Sequence, residues 1–196
     1  MEQRQKTVKA YKFVTDHLKS KNGNTQWIIG EWQKHNGDLS LCNGGFHACL
    51  DPLDSLEYTY GDKWFIVAAK GELVKGDDKF CCSEMKLVKE IPVSSVLVPF
   101  AIACARRCYK NWKDEKDGRV LAAIEAAERC FKEPTQQNID AAKSAARSAE
   151  WSAARSAERD WQRKTLKQLI SKALKQTKTT TTNSTNITIT SKLERE

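Results

Sequence analysis

Two hydrophobic periods divide the chain. From "VKAYKFV" (8 to 14) to "MKLVKEIPV" (85 to 93), short runs rich in β-branched and aromatic residues recur: "TQWIIGEW", "LEYTY", "KWFIVAA" and "GELVKG". The spacers "KNGN", "HNGD", "CNGG", "YGDK" and "KGDDK" carry Gly, Asn and Asp, which tolerate positive φ or close turns through side-chain hydrogen bonds. A small, mixed, mostly antiparallel sheet over residues 8 to 95 is therefore expected, after a flexible N-terminus at 1 to 7. Inside it, "DPLDSLEY" predicts one short helix with Asp51 as N-cap and Pro52 at the first helical position.

Near Pro99 the period lengthens to three and four. "PFAIACARRCYKNW" is helical in pattern, and "RVLAAIEAAERCFKE" sets Val120, Ile124, Ala127 and Phe131 on one face. A third helix starts at Thr135, an N-cap directly after Pro134, and keeps its period for about 40 residues. The fold class is thus α+β: the sheet, then a helical hairpin or three-helix unit over residues 97 to 176. The last segment, 177 to 196, is rich in threonine and poor in apolar residues, and is read as a disordered tail.

In the long helix, "SAARSAEW" is followed at once by "SAARSAER". Ala142, Ala146, Ala149 and Ala153 form a thin stripe that lets another helix approach closely. Trp151 and Trp161 stand at its edge, each able to bury roughly 200 Å². The stripe is either the inside of an intramolecular bundle or a docking face for a second chain.

Composition narrows these readings. A chain of 196 residues with 40% hydrophobic content can build a real core. Its charged N-terminus has no apolar stretch of a secretory signal, and no segment approaches the roughly 18 apolar residues of a membrane span. A cytoplasmic protein is expected, in the host cytoplasm if the gene is phage-borne. Seven cysteines, an odd number that includes the adjacent pair Cys81 and Cys82, then read as reduced thiols. The sequons at Asn183 and Asn186 lose meaning in that compartment. The net charge of +8 is uneven: residues 1 to 96 hold thirteen basic and thirteen acidic side chains, residues 97 to 196 twenty and twelve. A basic half can meet nucleic acid, and Arg147, Arg155, Arg159, Arg163, Lys164 and Lys167 would then form the stripe. Interleaved acids equally describe a solvated helix face.

Two resemblances follow from these motifs. Over residues 8 to 93, the opening "YKF", then "GFHAC" with "DPLD", a "GE" after the aromatic strand and a closing "KLVKEI" resemble a domain of unknown function common in phage and mobile-element genomes. Over residues 100 to 160, a Cys-containing helix, an acidic turn, "AIEAAE" and an Ala-rich helix resemble the helical region of putative immunity proteins, although Val120 stands where those often have proline. Neither family brings catalytic residues to this chain.

The chemistry centres on "GGFHACLDPLDSLEYTY", residues 44 to 60. With the aromatic strand after it, this stretch loosely resembles the ADP-ribosyltransferase fold. That resemblance implies an Arg or His on the first strand, where Tyr11 and Lys12 stand instead, and a later carboxylate such as Glu72 or Glu84, with His47 nearby. Cys42, His47, Cys49, Cys81 and Cys82 lack the spacing of a zinc knuckle, and Cys104 with Cys108 has no second pair. Cys49 with His47 as a nucleophile pair has no orienting acid, and no Gly-rich phosphate loop is present. The structural reading is simpler. Gly44 and Gly45 permit a turn or close approach, and Phe46 and Ala48 alternate with His47 and Cys49, so that one face is core and the other free; His47 is a core or sheet-surface histidine with a satisfied hydrogen bond, or faces outward and lines a groove with Tyr58, Tyr60 and Trp64. The combined expectation is a non-enzymatic, protein-binding module of immunity, anti-defence or accessory type. It would bind through the Ala/Trp face and the aromatic sheet edge, without metal or cofactor.

Overall fold

The computed structural model describes the backbone at residues 7–21, 25–59, 61–111 and 156–193, with scattered residues between 124 and 135. Strand β1 (Val8–Val14) is apolar on both faces. Pleating sets Val8, Ala10, Lys12 and Val14 on one side and Tyr11 and Phe13 on the other. β2 is only Gln33–Lys34 and β3 is Phe46–Ala48. A short helix α1 (Pro52–Ser55) runs into a 3-10 turn, Leu56–Tyr58, and two long strands follow, β4 (Lys63–Lys75) and β5 (Phe80–Ile91).

All pairings are antiparallel. β1 lies on β4, with Val8 opposite Ala69 and Val14 opposite Lys63; β4 lies on β5; and the far side of β5 carries β2 and β3. Beyond β3, Cys49 N–H donates to Tyr11 O at 3.0 Å and Tyr11 N–H to Cys49 O at 2.8 Å. The chain leaving β3 therefore returns to β1, and the sheet curls around its own core. Inside are Ala10, Val14, Trp27, Phe46, Ala48, Phe65, Val67, Ala69, Phe80, Cys82, Met85 and Leu87. Parity places Lys12 on this same side of β1.

The outer face of β1 is also covered. Trp64 is wholly buried, stacked on Phe13 at 5.2 Å, and its indole N–H donates to Ser55 Oγ at 3.1 Å. Asp51 caps α1 by accepting from Leu53 N–H at 2.9 Å, with Pro52 following, as expected from the sequence.

Helix α2 spans Val93–Asn111 and helix α3 Ser156–Leu193. The chain forms two compact units: residues 1–93 with 156–163, and residues 94–155 with 164–196. Within the first, Arg163 of α3 reaches Asp54 at 3.1 Å and Asp51 at 3.8 Å, and Arg159 reaches Glu57 at 3.4 Å. Within the second, α2 buries Val96, Phe100 and Cys104, α3 buries Leu166, Ile170 and Ala173, and Arg106 pairs with Glu128. These spacings are those of one helix face.

The α+β class holds, while several local expectations change. "TQWIIGEW" is not a strand: it forms turns after Trp27, with Ile28 and Ile29 half-exposed. "LEYTY" supplies the 3-10 turn. "KWFIVAA" and "GELVKG" merge into the single strand β4, whose pairing shifts between Lys70 and Leu73 around Gly71 at φ +80°. α2 begins at Val93 and holds Pro99 inside it, so the helix starts ahead of the residue that marked it in the sequence. α3 runs to Leu193, through the threonine-rich segment expected to be disordered; no Gly or Pro occurs there to interrupt the ladder.

Candidate functional site

The glycines of residues 44 to 49 shape a cavity. Gly45 has φ +88°, and a Cβ there would sit 2.6 Å from Leu39 Cδ2 and 3.1 Å from Cys82 O. A Cβ on Gly44 would lie 2.2 Å from Asp38 O. Close approach to β5 thus requires glycine at 45, and the tight turn back onto Asp38 requires it at 44, in line with the sequence reading. Gly45→Ala is expected to destabilise the sheet unit by about 1–2 kcal/mol through φ strain alone, read as a lower urea midpoint; an unchanged midpoint would refute it.

Beside this turn lies a cavity of about 370 Å³, bordered by residues of β1, the loop before β3, β3 itself and the hairpin residue Lys79. His47, Tyr58 and Cys49 line it, together with Lys12, Lys21 and Lys79. Among the described residues, no Asp or Glu lines it.

Lys12 crosses the interior. Its Nζ donates to the backbone carbonyl of His47 at 2.9 Å and lies 5.8 Å from the Trp27 ring centroid, joining β1 to β3. Burial lowers its pKa to about 8, against a smaller upward pull from Cys82 and Cys49. Burial also lowers the pKa of His47, and Lys12 lowers it further. The imidazole accepts at Nε2 from Cys42 N–H at 2.8 Å, which in the neutral ring leaves the proton on Nδ1. His47 is thus a fixed neutral acceptor, held by a residue at φ +69°.

At the rim, Tyr58 donates to Asp78 Oδ2 and its ring faces Lys79 Nζ at 4.6 Å. The bond to Asp78 raises the Tyr58 pKa, and hydrogen bonds with Cys42 and Tyr58 hold the Lys79 ammonium firmly protonated. Cys49 and Cys82, desolvated by burial, are pushed up to about 12 and stay thiols at neutral pH. Among the described residues there is no cluster of three or more His, Cys, Asp or Glu placed to hold a metal ion.

The sequence-predicted residues separate. His47 and Tyr58 line one cavity, but Trp64 is sealed in the layer beneath α1 and cannot edge a groove. Glu84 pairs with Lys70 at 3.2 Å and Lys34 at 3.9 Å, and neither it nor Glu72 lines the cavity. Of the basic stripe, Arg159 and Arg163 face carboxylates, while Lys164 and Lys167 are exposed. Trp161 is partly buried. Tyr60, Ala142, Ala146, Arg147, Ala149, Trp151, Ala153 and Arg155 lie outside the described residues. Sequence reading passed over Lys12 and Lys79 as binding residues. The signal for Lys12 was its place in the alternation Val8, Ala10, Lys12, Val14. Lys79 carried none beyond its place in the β4–β5 turn.

By fold and site this is a small, curled antiparallel sheet domain with a cationic internal cavity, followed by helices. Residues 8–98 match a family described as a domain of unknown function, DUF7666, a segment that takes in β1 to β5 and the start of α2. The resemblance of this part of the chain to an uncharacterised domain is thereby supported. No curated protein and no solved structure matches the chain. Among the described residues, no helix is long and apolar enough to cross a membrane.

Proposed function

We propose that the sheet domain is a non-enzymatic binding module for a small anionic ligand, held in the cavity between β1, β3 and the β4–β5 turn. One observation carries this reading: the lining includes Lys12, Lys21 and Lys79 and no carboxylate. A cavity of that charge, with mixed polar and aromatic walls, offers an anion an electrostatically matched seat. Asp78, beside Lys79, accepts from the Tyr58 hydroxyl. His47, fixed by Cys42 N–H, and Tyr58, fixed by Asp78, shape the walls of the seat beside these lysines. The absence of Glu72 and Glu84 from the lining favours binding over the transferase reading.

Calorimetric titration with glycolate and with inorganic phosphate tests the proposal. Binding should weaken as salt is raised, and Lys79→Gln should lower affinity about tenfold, the effect of one charge-assisted hydrogen bond. Heat of binding that is absent for both anions, or insensitive to Lys79→Gln, would sink it. An origin in phage or mobile elements and an immunity or accessory role belong to the same proposal. Motif resemblance supports them, and recovery of the native ligand or partner from the source cell tests them.

A further inference from the structure

We propose that Lys12 holds its ligand covalently, its Nζ condensing with the carbonyl of a small anionic aldehyde or 2-oxo acid in the cavity to form a reversible imine. The inference rests on the anion-binding reading above and assigns the two halves of such a ligand. Its carboxylate or phosphate meets the rim lysine Lys79, and its carbonyl carbon meets the amine inside.

Three observations single out Lys12. It occupies a core-facing position on β1, between Ala10 and Val14, where an alternating strand ordinarily places an apolar residue. Its Nζ faces a backbone carbonyl and an aromatic ring, with no carboxylate among the residues lining the cavity. An ammonium tied to a carboxylate stays protonated, whereas one desolvated beside a carbonyl and an aromatic ring gives up its proton more readily than a surface lysine, in keeping with its lowered pKa. Finally, the competing nucleophiles are suppressed: Cys49, which also lines the cavity, and Cys82 beneath it are both held as thiols. The lysines at the rim already supply charge, so a third buried one adds reactivity.

The step balances without an oxidant or reductant. Lys12, having given one proton to solvent, adds its nitrogen lone pair to the carbonyl carbon. The carbonyl π electrons move to oxygen, which takes a proton, and the nitrogen loses one, giving the carbinolamine. Loss of the hydroxyl as water leaves the C=N bond, and water reverses the sequence.

The test uses the full chain with glyoxylate and sodium cyanoborohydride near pH 7.5, followed by intact mass and tryptic mapping. Reduction converts the imine to a secondary amine, so trypsin no longer cuts after Lys12 and the peptide from Ala10 to Lys19 appears. One adduct per chain is expected, formed at Lys12 about tenfold faster than at surface lysines and slowed by excess glycolate. In Lys12→Arg, which keeps the charge but offers no amine for imine formation, this adduct should vanish. Label spread over surface lysines, with Lys12 no faster and glycolate binding intact, overturns the covalent step and leaves the anion site standing. Absence of both labelling at Lys12 and glycolate binding overturns the two together.

Discussion

Trp64→Ala is expected to cost the sheet unit about 3–5 kcal/mol, the range for removing a buried tryptophan, against the roughly 5–15 kcal/mol that holds a domain folded. Trp64 is fully buried in β4 and connects three elements. Its ring stacks on Phe13 of β1 at an interplanar angle of 7°, and Tyr11 lies 6.2 Å away, centroid to centroid. Its indole N–H donates to Ser55 Oγ, and Ser55, itself buried, donates onward to Pro52 O at 2.7 Å. Alanine removes the stack and the large apolar surface, and leaves Ser55 Oγ without that donor. The substitution should lower the urea midpoint steeply and flatten the near-ultraviolet circular dichroism. Trp64→Phe keeps a ring against Phe13 but drops the N–H, so its loss should fall to about 1–2 kcal/mol. A Trp64→Ala protein less than about 1 kcal/mol below wild type would show that this layer does not carry the unit.

The alternation in "VKAYKFV" and the turn signals around "CNGG" and "KGDDK" made the strand-rich half legible, because period and punctuation are local properties. So was the cap Asp51–Pro52. Local readings failed where tertiary geometry decides. "TQWIIGEW" has strand composition, yet only Trp27 goes into the core, its N–H bonded to Ser20 Oγ at 2.9 Å, while Ile28 and Ile29 turn outward. "KWFIVAA" and "GELVKG" were divided at a glycine that the structure uses for a bulge within one strand. The site was half legible. His47 and Tyr58 stood out by residue type, but Lys12 looked like an ordinary polar position in an edge strand. Its inward direction becomes clear only because the return of Cys49 to Tyr11 curls the sheet and closes β1 over the cavity. Its place in the alternation Val8, Ala10, Lys12, Val14 hints at the inward side, but the cavity beside it is set by that long-range pairing.

Lys12→Met should stabilise the sheet unit at neutral pH while weakening anion binding. Methionine matches the aliphatic stem and needs no desolvation of charge; the lost bond to His47 O offsets about 1 kcal/mol of that gain. The sign with pH follows from the lowered value. Lys12 titrates near 8 in the folded protein and at its ordinary 10.5 in the unfolded chain. Below 8 both states carry the proton and the full penalty of burying the ammonium stands. Between 8 and 10.5 the folded state has shed the proton that the unfolded chain still binds, so wild-type stability climbs with pH. Above 10.5 the penalty is gone. Cys49 and Cys82 act in the opposite sense, because thiols raised from 9.0 to about 12 keep protons that the unfolded chain releases, and their contribution falls above pH 9. That loss is common to wild type and variant and largely cancels when one stability curve is subtracted from the other. The advantage of Lys12→Met should therefore shrink by on the order of 2–3 kcal/mol between pH 7.5 and 10.5, measured as the difference of urea-derived stabilities. A difference that stays flat over this range would mean that the amine is as well solvated as a surface lysine. The covalent step would then lack the desolvated amine on which it depends.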